Sequence, residues 1–409
     1  MRARLVIAAW SLAAALAACT SPQKTTPPVA PQPPPAAKVE PLNPPLPEGP
    51  VKIGLLLPLS GDTEAIGQDM LDAAQLALFE VAGDDLVLVP RDSGTSDESA
   101  VAAARELLDS GAKLLIGPLF GQATKAVSPL AAQRKVAVLS FSNDASVAGN
   151  GTFILGFRPE EQVTRIVDYA RRQGLDPVAA LAPDDAYGMR AVRAWRAVVS
   201  PTGETVAAPA DSAFYPAEGS DASEVVRRFT RIDARAAGST DGTVAEPPPF
   251  RSLLLPDGGL RLQTVLGLLA YYDVGPANTR FLGTTRWQED PRLRQEPALQ
   301  GGWLAGPSPS DVAAFSRYFD SVYGRPAGSL AALAYDATAL AAVLVRDKRR
   351  LDPEVLTAPE GFAGKLGLFR LLPSGVSEHG LAVIEFGQGP SRVLDPAPVS
   401  FETAPVPQS

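Results

Sequence analysis

Val51-Lys-Ile-Gly-Leu-Leu-Leu-Pro-Leu-Ser-Gly61 decides the fold. Its first seven residues form a nearly continuous apolar run, closed by Pro58 and Gly61. Lacking the alternation of a half-wetted strand, the run reads as a strand buried on both faces, which belongs in a parallel sheet covered by helices. The residues beyond Gly61 agree with a covered parallel sheet. A helical pattern over 64–81 places Ile66, Met70, Ala73, Ala74, Leu76, Ala77 and Leu78 on or near one face, and a strand is predicted at 86–89. Thr95-Ser-Asp-Glu98 reads as a capping box ahead of a helix with Val101, Ala104, Leu107 and Leu108 as its buried stripe. A strand at 113–117, a helix at 122–132 and a strand at 136–139 complete an alternating series. Strands this apolar, separated by helices this long, require right-handed crossovers.

A second series begins with a helix at 164–169 and continues with a strand at 178–181, a helix at 189–199 and a short strand at 205–207. An amphipathic segment, 222–236, precedes a polar insertion, 238–249, expected to be an exposed loop. Then come a strand at 252–255, a helix at 260–272, a strand at 281–283, helices at 312–323 and 330–345, and strands at 367–372 and 381–386. No period of about 20 to 50 residues recurs, which excludes a solenoid. The fold class is therefore α/β with parallel sheets.

The 409 residues carry 45 acidic and 37 basic side chains, a formal charge of −8, so the chain has no general attraction for nucleic acid or anionic lipid. One cysteine, Cys19, and one histidine, His379, exclude an intramolecular disulfide and a His/Cys zinc site. No metal or cofactor is expected. His379 sits in Pro373-Ser-Gly-Val-Ser-Glu-His-Gly380 and reads as a solvated loop histidine. At the N-terminus, Arg2 and Arg4 precede an alanine-rich apolar run from Leu5 to Ala18, too short for a comfortable permanent span and succeeded at once by polar sequence: an export signal, residues 1–18. The run closes with Leu16-Ala-Ala-Cys19, which resembles the bacterial lipobox. That resemblance implies cleavage before Cys19, lipidation of its thiol and stable anchoring by acyl chains. Residues 19–50 form a tether: 12 of the 30 residues from Ser21 to Pro50 are proline. In a polyproline II conformation this stretch reaches about 90 Å.

Ile53-Gly-Leu-Leu-Leu-Pro-Leu-Ser-Gly61, Ile116-Gly-Pro118, Phe157-Arg-Pro159 and Asp185-Ala-Tyr-Gly188, in this order and spacing, resemble the type I periplasmic-binding-protein fold in its branched-chain-amino-acid-binding branch. The resemblance covers 51–386. It implies two Rossmann-like lobes joined by three crossings, expected at 51–157 plus 281–357 and at 158–280 plus 358–395, with a C-terminal tail at 396–409. Gly117-Pro-Leu119, Val127, Leu130-Ala131 and 136–143 further resemble the penicillin-binding-protein activators of the outer membrane. These imply a lipoprotein on the periplasmic face of that membrane, stimulating a class A peptidoglycan synthase by contact. Thr20, where inner-membrane lipoproteins of the enterobacterial type usually carry aspartate, agrees. The best-known members carry a helical-repeat domain before this one, where here only the tether precedes Val51. The alternative is the substrate-binding lipoprotein of an amino-acid ABC importer.

In open parallel sheets ligands sit beyond the carboxyl ends of strands. The candidate ligand residues are accordingly Ser60, Phe120, Gly121, Ser140, Ser142, Tyr187, Asp257 and Thr284, with Thr285 beside the last. For an amino-acid-like ligand Ser142 is the candidate for the carboxylate, Asp257 for the ammonium and Tyr187 for the lid. Leu119, Phe120 and Gly121 stand where the branch usually has hydroxyl residues, which weakens carboxylate capture. No phosphate loop, dinucleotide fingerprint or nucleophile elbow occurs. Asp184-Asp185 and Glu160-Glu161 read as solvated carboxylates rather than acid/base pairs. No catalytic residue is assigned; the chain is read as a binding protein, not an enzyme.

Overall fold

The computed structural model describes residues 46, 49–201, 211–217, 221–238, 245–348 and 350–401. The expected export signal, Cys19, almost all of the expected tether, the strand expected at 205–207 and most of the expected tail fall outside these residues.

The first sheet consists of β1 (Val51–Leu57), β2 (Leu86–Asp92), β3 (Leu114–Ile116), β4 (Ala137–Ser140) and β5 (Thr152–Ile154), in the order β2-β1-β3-β4-β5. All its pairings are parallel; Ile53 lies opposite Leu88 on one side and Leu114 on the other. Side chains of β1 divide between two cores, as a doubly covered strand requires. Ile53, Leu55 and Leu57 join Met70 and Ala74 of α1 (Glu64–Ala77), while Leu56 meets Leu107 of α2 (Asp97–Asp109) and Val127 of α3 (Gly121–Gln133). The cap of α2 is Ser96, one residue beyond the position expected. Its hydroxyl accepts from Ser99 N at 3.2 Å, and Ser99 Oγ, not Glu98, accepts from Ser96 N.

The second sheet comes after α4 (Pro159–Arg172). It gathers β6 (Val178–Pro183), β7 (Ser212–Tyr215), β8 (Ser252–Leu254), β9 (Arg280–Gly283) and β10 (Gly302–Gly306). Between these lie α5 (Ala186–Val199), α6 (Ser223–Thr230), α7 (Ile232–Gly238), α8 (Gly259–Tyr271) and α9 (Arg286–Glu289). α4 and α5 cover one face through Val163, Ile166, Val167, Val192 and Trp195; α6, α8 and α9 cover the other through Val226, Leu262, Leu266 and Trp287. The amphipathic segment expected over 222–236 is two helices, broken at Arg231, whose φ of 53° lies in the left-handed region.

The chain then returns to the first lobe with α10 (Pro309–Tyr323), α11 (Ala331–Lys348) and α12 (Pro353–Leu356). Phe315 and Phe319 pack with Ala73 and Ala77 of α1, and Leu333 to Val345 of α11 complete the core over β1. A small antiparallel sheet of β11 (Phe362–Gly364), β12 (Gly367–Leu371) and β13 (Ser377–His379) joins that core through Phe369 and Leu371. Finally β14 (Ala382–Phe386) pairs antiparallel with β10, and β15 (Arg392–Asp395) with β14, giving the order β15-β14-β10-β9-β8-β6-β7.

The fold class is that expected: two α/β lobes built on parallel sheets and joined three times. The first crossing lies between β5 and α4. The other two lie later than 281 and 358. β9 pairs with β8 through Ser252↔Arg280, and β10 with β9, so 281–306 belongs to the second lobe; Phe369 and Leu371 place 362–371 in the first. The physical reason is that Gly302-Trp-Leu-Ala-Gly306, with glycine at both ends, carries no strand signature of its own and takes its pairing from two neighbours.

Candidate ligand cleft and hinge

The carboxyl ends of the two parallel sheets are joined by one side chain. Arg190 of α5, in the second lobe, donates from Nη2 to the carbonyl of Asn143 after β4 in the first, and lies 3.6 Å from Asp144. Its Nε and Nη2 also reach Glu160 at 2.7 and 3.0 Å. Burial alone would raise the Glu160 carboxyl, but the hydrogen bond and charge of Arg190 outweigh it and hold the group below its ordinary value. The loops after β1, β3 and β4 therefore face those after β6, β8 and β9, and most of the candidate ligand residues lie on these two rims.

On the first rim, much of the hydroxyl chemistry is spent internally. Ser140 is completely buried: its Oγ contacts Thr124 Oγ1 at 2.6 Å and Pro118 O at 3.0 Å, and accepts from Ser142 N at 3.1 Å. It pins the turn after β4. Ser142 Oγ accepts from Asp144 N at 3.0 Å and retains its proton as a donor. Gly121 opens α3 directly against Ser142, where a Cβ would press on the hydroxyl. Phe120, its N-cap, is an aromatic left 45% exposed. Ser60 is exposed and hydrogen-bonds the Asp92 carboxylate, which also accepts from Leu59 N and Gly94 N at 2.8 Å.

On the second rim the expected role of Asp257 is corrected. Its carboxylate is 1% exposed and already surrounded by donors: Tyr215 Oη at 2.7 Å, and Arg261 Nε and Nη2 at 2.6 Å each. Arg286 Nη1 lies 3.7 Å away. An acid that already accepts three hydrogen bonds, two of them from a guanidinium, is a poor partner for a ligand ammonium. Arg261 in turn lies 3.1 Å from Asp185, whose other oxygen caps α5 by accepting from Gly188 N at 2.8 Å. The hydrogen bond to Asp257 raises the Arg261 pKa further, and burial together with Asp257 raises that of Tyr215. Tyr187 is buried, its phenol pushed up to about 12 by desolvation against the opposing influence of Thr284 and Arg286. The Arg286 guanidinium lies over its ring at 3.8 Å. Thr284 is fully buried beside it, and Thr285 N donates to Gln162 Oε1 at 2.7 Å.

A second polar cluster occupies the hinge. His379 is not a solvated loop residue: it ends β13 with 7% of its side chain exposed, and Nδ1 lies 3.0 Å from Glu161 Oε1. Its ring packs on Phe157 at 4.5 Å. Glu161 also accepts from Arg158 N, and Arg158 donates through Nε and Nη2 to Ser377 O at 3.1 and 2.8 Å. Glu160 is thus committed to Arg190 within the second lobe and Glu161 to His379 across the hinge, so the two are not a solvated pair. Asp336 of α11 completes the cluster, accepting from Lys365 N at 2.6 Å and Leu366 N at 3.4 Å. Burial raises its carboxyl to about 6 in spite of those two amides. Among the described residues no group of three or more His, Cys, Asp or Glu is placed to hold a metal ion, and no helix is long and apolar enough to cross a membrane.

Sequence reasoning singled out Tyr187, Ser142, Asp257 and Thr284, and the fold brings all four to the two rims. It missed Arg190, Arg261 and Arg286. Arg286 directly succeeds the Thr284-Thr285 loop already marked, so an arginine at that strand end was a readable signal. Arg190 gave none, since its partner Asn143 lies 47 residues away in the other lobe.

The family described as periplasmic binding protein matches residues 50–358, three quarters of the chain, and the chain belongs to it. Solved structures agree in fold. A leucine-binding protein, LivK, from Thermotoga maritima shares 16% identity, covering 85% of this chain and 98% of its own with a TM-score of 0.61. An ABC transporter substrate-binding protein from Sphaerobacter thermophilus shares 18%, covering 85% and 96% with a TM-score of 0.64. A solute-binding protein from R. palustris in complex with 4-hydroxybenzoate shares 16%, covering 87% and 98% with a TM-score of 0.61. An uncharacterized protein of Rickettsia prowazekii is 23% identical over 119 residues, which span 29% of this chain and about a third, 32%, of that relative.

Proposed function

We propose that this chain is a lipid-anchored solute-binding protein, which holds a small organic molecule between its lobes for an ABC importer and does no chemistry on it. One observation carries the reading: two parallel sheets oppose their carboxyl ends, and polar side chains from both converge there around the Arg190 bridge. Membership of the binding-protein family supports it, as do structural relatives described as ABC transporter substrate-binding proteins. A thermal-shift screen of the full chain against amino acids and organic acids tests it. A clear rise in Tm with one solute class is expected; no rise with any solute would overturn it.

A second reading, contact activation of a class A peptidoglycan synthase from the periplasmic face of the outer membrane, draws on the N-terminus and on Phe120. A lipobox-like Leu16-Ala-Ala-Cys19 with Thr20 and a proline-rich tether after it suits a reach toward the wall, and Phe120 replaces a hydroxyl on the first rim. Both readings expect an acylated Cys19, which mass spectrometry of the processed N-terminus checks; a bare thiol there would remove the anchor from each. Retention of a class A synthase on the immobilised chain, with no solute-induced shift, would favour the second.

A further inference from the structure

Resting on the solute-binding reading, we propose that Arg286 is the anchor for the carboxylate of the bound solute, and that this solute is an organic monocarboxylate without an α-ammonium group. Arg286 stands apart from the other cationic side chains of the cleft. Arg190 is offset by Glu160 and Asp144, and Arg261 by Asp257 and Asp185. Arg286 has only a distant share of Asp257, at 3.7 Å, with Glu289 of the same short helix within its field. Among the described residues it makes no hydrogen bond within normal distance, so the donors of a planar fork are uncommitted. Its side chain is 29% exposed and its face is held against the Tyr187 ring, which sets the plane in which a carboxylate would be met edge-on.

Thr284 supplies an independent indication. Its hydroxyl is completely buried with the Tyr187 phenol near enough to act on it, yet among the described residues no partner meets it in normal hydrogen-bond geometry. A buried hydroxyl left so is costly unless something else meets it. Thr284 and Arg286 both neighbour Tyr187, so the buried hydroxyl and the uncommitted guanidinium flank the same ring. The absence of an ammonium comes from Asp257: its carboxylate already receives three hydrogen bonds from Tyr215 and Arg261. A single partly desolvated guanidinium matches one negative charge, which favours a carboxylate over a dianion.

Isothermal titration of the full chain with matched pairs decides it: 4-methylpentanoate against leucine, and 3-phenylpropanoate against phenylalanine. The expected result is binding of a carboxylate at least tenfold tighter than its amino-acid counterpart. Affinity should fall at least tenfold in Arg286→Gln, and also in Arg286→Lys, which keeps the charge but loses the fork. Unchanged Tm and circular dichroism in the two variants would show that neither loss is unfolding. Amino acids binding as tightly as the acids, with Arg286→Gln without effect, would overturn the anchor while leaving a solute-binding protein. No heat from any probe would overturn both.

Discussion

Asp336 is where burial and titration meet most directly. Burial lifts this carboxyl from its ordinary value of 3.8 to about 6 when folded, so the fold favours its protonated form only below about pH 6. The stabilisation this brings is fully present below about pH 3.8 and is lost as pH rises through about 6. A shift of about two units corresponds to a change on the order of 2–3 kcal/mol over that window. Urea titrations at pH 4 and pH 7 should therefore show a component that Asp336→Asn removes, leaving a flatter profile; an identical slope in the variant would refute the assignment. Trp287 gives a residue-scale test of packing. It is fully buried, donates from Nε1 to Leu255 O at 3.1 Å and fills the space above Gly283 and Gly302. Trp287→Ala should cost about 3–5 kcal/mol in chemical denaturation. Either glycine replaced by a larger residue would drive a Cβ into the indole.

At the scale of elements, short polar links set where helices begin. The reciprocal bonds between Ser96 and Ser99 start α2, and Ser96→Ala should lower stability by about 1 kcal/mol without disturbing the cleft, a loss readable as a reduced denaturation midpoint. The turn from β6 into α5 depends on Gly188, whose Cβ would meet Pro183 O, while Asp185 caps the same helix. The helix that carries both Tyr187 and Arg190 is therefore fixed from its first turn. The offset of the α2 cap shows the limit of a local signal: Thr95, Ser96 and Ser99 all offer hydroxyls, and the backbone geometry at Ser96 selects among them. Element identity was otherwise legible wherever an apolar run was long. β1, β3, β4, β6 and β8 and the helices between the first four were read to within a few residues, whereas β10, rich in glycine, and the three-residue strands β5, β11 and β13 were not.

For the whole molecule, the Arg190 bridge is the contact to break. Arg190→Ala frees Asn143 O, removes the ion pair of Asp144 and leaves Glu160 only Arg158 at 4.0 Å, so the lobes should separate, with a larger radius of gyration in small-angle scattering. Because the bridge is partly exposed, the loss in unfolding stability should stay below about 1 kcal/mol. An unchanged scattering curve would show that the hinge cluster, not the rim, sets the spacing of the lobes. That cluster ties Glu161 of α4 to His379 of β13, and Arg158 to Ser377, across 218 and 219 positions of sequence.

The residues by themselves were enough for an α/β chain with doubly covered parallel strands, because apolar runs and helical periodicity are local properties that solvent exclusion reads directly. They marked the strand-end loops for the same reason, Tyr187, Asp257 and Thr284 among them. Which lobe β9 and β10 would join, that His379 is buried against Glu161, and that Asp257 is already neutralised by Tyr215 and Arg261 all depended on the assembled fold. Each is a contact between segments far apart in the chain. Charge, hydrogen bonding and burial at such contacts belong to the pair, so neither residue's local sequence carries them.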